Sequence, residues 1–94
     1  MTSTAAALAD AHRRAMATRP WSVDEFSALL QAPRVFLIGD ATCFALGRIA
    51  ADEAELLTLA TDPDHRREGL ARVALSAFHQ AARDRGADAA FLEV

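Results

Sequence analysis

Apolar residues fill both alternations of Glu55-Leu56-Leu57-Thr58-Leu59-Ala60-Thr61, the pattern of a strand buried on both faces. Pro63 lacks a ladder donor and biases Asp62 away from helix, so the strand should stop there. From Gly69 onward the apolar positions are Leu70, Val73, Ala74, Ala77, Phe78, Ala81 and Ala82. This i, i+3, i+4 spacing predicts a helix with one buried stripe. Arg83 and Arg85 put positive charge at its C-terminal end, and Gly86 fits the position just beyond it.

Upstream, Thr2-Ser3-Thr4 offers N-caps for a helix over 2–17, with Leu8, His12, Ala15 and Met16 on one side. His12 reads as a helix-face residue rather than a catalytic one. The second helix has a complete start. Ser22 and Glu25 form an S-x-x-E capping box, and Trp21 and Phe26 occupy the two positions of a hydrophobic staple. It should run to Gln31, ended by Pro33. Residues 34–38 read as a strand, Gly39-Asp40 as a turn and 42–50 as the returning strand. Gly47 inside that strand predicts a bulge or a close backbone approach. Asp52-Glu53 makes the next turn, and 88–94 is a last strand. Three antiparallel strands, a helix and a closing strand make one α/β domain over 1–94.

Composition narrows the function classes. The 94 residues carry a net charge of −3 with no block of like charge, which argues against a nucleic-acid partner. No run of about 18 apolar residues predicts a membrane span, and residues 1–9 do not read as a signal peptide. Cys43 is the single cysteine, expected to be a buried structural thiol in a cytoplasmic protein. No metal is expected, because His65 and His79 have no second ligand at zinc-site spacing.

The chemistry lies in the turn after the central strand, Asp62-Pro63-Asp64-His65-Arg66-Arg67-Glu68-Gly69. The first N–H groups of a helix lack intrahelical partners, and the macrodipole adds roughly half a positive charge. Gly69 and Ala71 are small enough for an anion such as a diphosphate to approach the backbone, with Arg66, Arg67 and Arg72 around it. The same residues also suit an ordinary strand–turn–helix link with solvated arginines. Asp62 and Asp64 would shape the turn.

Arg66-Arg67-Glu68-Gly69-Leu70-Ala71 resembles the Q/R-x-x-G-x-G/A signature of the GNAT N-acetyltransferases. The flanking 52–63 segment, Arg85-Gly86, Phe91-Leu92-Glu93-Val94 and Pro20-Trp21-Ser22 look like the branch that acetylates ribosomal-protein alanine. The resemblance implies the GNAT fold, a mixed, mostly antiparallel sheet flanked by helices, here without its C-terminal part. It implies acetyl-CoA as cosubstrate and a protein or peptide N-terminus as acceptor. It assigns Leu59, Ala60 and Thr61 to pantetheine and the acetyl group, and Arg67, Glu68, Gly69, Leu70, Ala71 and Arg72 to the diphosphate. Thr61 stands where an apolar residue is usual, and Ala71 where a second glycine is commoner.

Glu93 matches the family's general base. Strand alternation puts it on one face with Ala89 and Phe91, and burial there would raise its pKa toward neutrality. A glutamate at a frayed, solvated chain end is the other reading. Trp21 fits the acceptor groove by resemblance, although its staple role already accounts for it. The family's thiolate acid is a tyrosine, and these 94 residues contain none. The expectation is a cofactor half-site that turns over poorly alone and self-associates through the 88–94 strand. The rival readings are a CoA-binding module without turnover and a partner-binding fragment.

Overall fold

The structure, a computed structural model, describes residues 4–15 and 20–92. In chain order these form α1 (Ala5–Ala15), α2 (Val23–Gln31), β1 (Val35–Asp40), β2 (Cys43–Ala50), β3 (Glu53–Thr61), α3 (Leu70–Asp84) and β4 (Ala89–Leu92). One sheet of order β1-β2-β3-β4 joins the strands; β1, β2 and β3 are antiparallel, and β4 runs parallel to β3. No helix among the described residues is long and apolar enough to cross a membrane.

Local chemistry sets the helix ends. The Thr4 hydroxyl accepts the Ala7 N–H at 3.1 Å and starts α1; Thr2 and Ser3 lie outside the described residues. At α2 both halves of the capping box form: Ser22 Oγ accepts the Glu25 N–H at 3.1 Å, and Glu25 Oε1 accepts the Ser22 N–H at 3.2 Å. The staple forms too, with the Trp21 and Phe26 ring centroids 5.4 Å apart. The C-terminus of α3 closes as a Schellman motif. Gly86, at φ 88°, donates to the Arg83 carbonyl, and Ala87 donates to that of Ala82.

Two turns fall elsewhere than the sequence predicts. Gly39 and Asp40 belong to β1 and pair with Phe44 and Cys43, so Ala41 and Thr42 make the turn. Asp40 Oδ1 closes it by accepting the Thr42 N–H at 2.9 Å. Gly39 is needed inside the strand, because at φ 86° any Cβ would collide with the Cys43 carbonyl oxygen. After β2 the turn is Ala51-Asp52, with Ala51 at φ 55°, and Glu53 already opens β3.

Alternation splits the core over the two faces of the sheet. Phe36, Ala45, Ile49, Ala54 and Leu56 pack with Phe78, Ala81 and Ala82 of α3. Phe44, Leu46 and Ala60 face the other way, onto Leu8, Ala9 and Ala11 of α1 and Phe26 of α2. Gly47 is a close approach: a Cβ there would lie 2.6 Å from the rings of both Phe36 and Phe78. Those rings stack 5.7 Å apart, and the Arg85 guanidinium sits 4.5 Å from the Phe36 centroid. The buried stripe of α3 is Ala74, Phe78, Ala81 and Ala82. Val73, which the periodicity assigns to that stripe, is 67% exposed, because α3 turns its Ala74–Phe78 line to the sheet.

The bulge lies opposite Gly47, on β3. Leu46 pairs with Thr58 while Gly47 pairs with Leu56, so Leu57 is the extra residue. One inserted residue reverses the alternation. Leu56 faces α3, whereas Thr58 and Ala60 face α1 and Leu59 returns to the α3 side.

Candidate functional site

β4 pairs with β3 only over Glu53 to Leu56, matched to Ala89 to Leu92. Among the described residues, ladder pairing with β4 reaches Leu56, next to the bulge. Beyond it, among the described residues, β3 has a partner on its β2 side alone. The Asp62 N–H donates to the Thr42 carbonyl at 2.7 Å. In an antiparallel ladder this fixes the phase: Ala60 turns its backbone groups to β2, while Leu59 and Thr61 turn theirs to the free side. A ligand with amides could pair there as an added strand.

The free edge runs into the turn that opens α3. Asp62 Oδ1 accepts the Asp64 N–H at 2.9 Å and caps a single 3-10 turn, Pro63–His65. The chain then passes through two left-handed residues, Arg67 at φ 68° and Gly69 at φ 76°. For arginine this conformation costs about 1–2 kcal/mol. Gly69 is the N-cap of α3 and offers no side-chain bond. The N–H groups of Leu70, Ala71 and Arg72 have no partner among the described residues. Arg66, Arg67 and Arg72 likewise have no carboxylate partner among the described residues. Free donors, a dipole and cations without a carboxylate partner around one open turn have the chemistry to hold an anion.

Edge and turn share one cleft of ≈ 450 Å³. Leu59, Ala60, Thr61, Arg67, Gly69, Leu70, Ala71 and Arg72 line it, as do Ala15, His65 and Arg66. Eight of the nine residues assigned to the cofactor by resemblance thus meet in one place. Glu68 does not line the cleft; its carboxylate lies 3.4 Å from His65 Nδ1. Glu93 lies outside the described residues. Cys43 is buried with its Sγ 3.3 Å from Thr61 Oγ1, and His79 packs edge-on against Phe78 at 5.4 Å.

The sequence reading missed the wall behind the cleft. The last turn of α1 holds β3 and its turn at three points. Arg14 pairs with Asp62 at 2.8 Å, and Arg66 donates to the Ala15 carbonyl at 3.4 Å. The Asp64 N–H, and after it Arg14, hold the Asp62 carboxyl below the ordinary carboxylate range. The third point is His12, 3% exposed, with Nε2 3.1 Å from Thr58 Oγ1 and Nδ1 accepting the Trp21 N–H at 3.0 Å. Burial lowers its pKa against a smaller opposing pull from Glu25. A neutral ring then contributes stability in full above the ordinary value of 6.5, lost as pH falls through the lowered folded value. Helical spacing places His12 on the apolar side of α1, but no local pattern names Thr58 as its partner.

Residues 7–94 match the model of the acetyltransferase (GNAT) family. The chain belongs to the GNAT family. Its mixed sheet between α1–α2 and α3 is the GNAT fold. Over 56 residues this GNAT chain is 38% identical to the [ribosomal protein bS18]-alanine N-acetyltransferase of Escherichia coli K12, a match covering 60% of this chain and 38% of that protein. The crystal structure of the ribosomal-protein-S18-alanine N-acetyltransferase from Escherichia coli superposes with a TM-score of 0.83 at 32% identity. That superposition covers 96% of this chain and 60% of the enzyme, so the chain spans about three-fifths of its solved relative. The aminoglycoside acetyltransferase AAC(6')-Iy, solved with a CoA bisubstrate analogue, shares the fold at TM-score 0.75 and 16% identity, over 96% of this chain and 72% of that one.

Proposed function

We propose that this chain carries the acetyl-CoA site of an N-acetyltransferase whose acceptor is a protein N-terminal α-amine, in the first instance the alanine of a ribosomal protein. One observation carries the reading. The β3 edge beyond Leu56, without a partner on that side among the described residues, and the uncapped, arginine-flanked start of α3 line a single cleft. Pantetheine amides would pair with Leu59 and Thr61, and the diphosphate would meet the N–H groups of Leu70, Ala71 and Arg72 with the Arg67 and Arg72 side chains beside them. The likeness to the bS18-alanine enzyme supports the choice of acceptor, and such an acceptor implies a cytoplasmic location.

In this reading catalysis is positioning plus proton transfer. Glu93, which follows Leu92 directly in the chain, takes the proton from the α-ammonium. The neutral amine attacks the thioester carbonyl, the C–S bond breaks as the amide forms, and the proton still carried by the attacking nitrogen passes to the departing thiolate, through solvent, to give the free thiol of CoA. A second reading, CoA binding without turnover, draws on the absence of tyrosine from these 94 residues, the family's acid for that thiolate. In either case β4 is the outer strand of the described sheet, and pairing of its open side with a second copy is the proposed route of self-association.

Titration of CoA by calorimetry, acetyl transfer to an alanine-starting peptide and light scattering test the proposal together. Binding with turnover supports the enzyme, and binding without it the second reading. No binding overturns both. A strictly monomeric chain at all concentrations overturns pairing through the last strand.

A further inference from the structure

A histidine inside an apolar cluster needs a reason, since aliphatic residues fill such space without polar atoms to satisfy. His12 stacks on Trp21 at 5.1 Å, meets Phe26 edge-on at 5.3 Å and lies 6.5 Å from Phe44. Both ring nitrogens are nevertheless bonded. The Trp21 backbone N–H can only donate, so Nδ1 carries the lone pair and the proton sits on Nε2. Nε2–H therefore donates to Thr58 Oγ1, itself only 9% exposed. The ring is thereby held in one tautomer and one orientation.

Thr58 is no ordinary partner. It is the first residue after the bulge at Leu57 and precedes Leu59, where the free backbone edge begins. The extra residue of a bulge is left out of the ladder, so its shape needs outside support. Resting on the acetyl-CoA reading above, we infer that His12 is a positioning residue: its Nε2–H bond to Thr58 holds the β3 bulge in the form that turns Leu59 and Thr61 toward the cofactor. The Arg14–Asp62 pair and the Arg66–Ala15 bond extend the same brace to the diphosphate turn. α1 thus serves as the support of the cofactor strand. Protonation of the ring would put two N–H donors against each other at Nδ1; the charged group acting on the ring among the described residues is Glu25.

Four variants and one spectrum test the inference. His12→Asn keeps an acceptor near the Trp21 N–H but gives up the bond to Thr58, whereas His12→Gln reaches Thr58 and gives up Trp21. Thr58→Val removes the hydroxyl at constant shape, and Thr58→Ser keeps it. Calorimetry with CoA at a temperature where each is folded should show His12→Asn and Thr58→Val weakened about tenfold, the scale of one buried hydrogen bond. His12→Gln and Thr58→Ser should stay within about threefold of the parent. A merely structural histidine would lower the melting temperature and leave the CoA affinity of the folded protein unchanged. Unchanged affinity in folded Thr58→Val therefore overturns the inference while the acetyl-CoA reading stands. Absence of CoA binding by the parent chain overturns both. Imidazole 15N resonances of the parent chain decide independently of any variant's folding. An Nε2-protonated ring whose signals move on CoA addition supports the brace; an Nδ1-protonated ring, or signals unmoved at saturating CoA, refutes it.

Discussion

α2 and α3 begin in opposite ways. At α2 the start closes on itself: Ser22 takes the Glu25 N–H, Glu25 takes the Ser22 N–H, and Asp24 and Glu25 complement the dipole. At α3 the N-cap is a left-handed glycine without a capping bond, and the first turn carries no acid. Arg67 just before it sits at φ 68°. A glycine in place of a capping side chain forgoes about a few tenths of a kcal/mol, and the left-handed arginine costs about 1–2 kcal/mol. The first start is built to stabilise; the second leaves donors and charge unsatisfied. An element that gives up local stability beside an open cleft fits the proposed diphosphate turn.

The largest effect is expected at Gly69. A valine there would stand in space that is empty in the structure, with nothing within 4 Å of a Cβ. CoA affinity should fall by about 100-fold or more, the scale of several lost charge-assisted hydrogen bonds. At φ 76° a branched residue also costs about 1–3 kcal/mol. Gly69→Asn separates the two effects, since asparagine tolerates the conformation. It should melt near the parent yet still bind poorly in calorimetry. Parent-like affinity in both variants would show that the turn does not meet the cofactor.

Arg67→Gly sharpens the contrast because its two effects have opposite sign. Relief of the left-handed conformation should raise stability by about 1 kcal/mol, while loss of the guanidinium should weaken CoA about tenfold. Denaturant midpoint and CoA titration, measured on one preparation, report both signs. If affinity and stability move together, the trade-off at α3 is absent.

The smallest effect belongs to α2. Ser22→Ala should cost about 1 kcal/mol, seen as a drop of about 4–8 °C in melting temperature for a domain of this size. CoA affinity of the folded protein should not change, because among the described residues the Ser22 side chain bonds within its own helix start. A matching loss of affinity would mean that α2 also supports the site.

Much of this is legible in the residues because it depends on near neighbours. Ser22, Glu25, Trp21 and Phe26 specify the α2 start within a few positions, and Gly86 specifies the α3 end. Arg67 to Arg72, the proposed diphosphate turn, are marked with the same economy, and all but Glu68 line the cleft. Two hairpin turns shift by a residue or two, because the turn chosen depends on how Asp40 and Gly39 meet Cys43 across the ladder. Val73 leaves the buried stripe because helical periodicity names a set of faces, and only the sheet beneath selects one of them.

By itself, then, the sequence determined the helices, the central strand, the arginine–glycine turn and the family they resemble. Each follows from short-range sterics, capping and the period of apolar positions. The tertiary structure alone decided that Leu57 is the bulged residue, that β4 pairs alongside Glu53 to Leu56, and that Leu59 and Thr61 rather than Ala60 turn their backbone groups away from β2. It also decided that His12 reaches Thr58, 46 positions away. Register between strands and the partner of a buried ring are set by packing across the whole core, where no local pattern carries the choice.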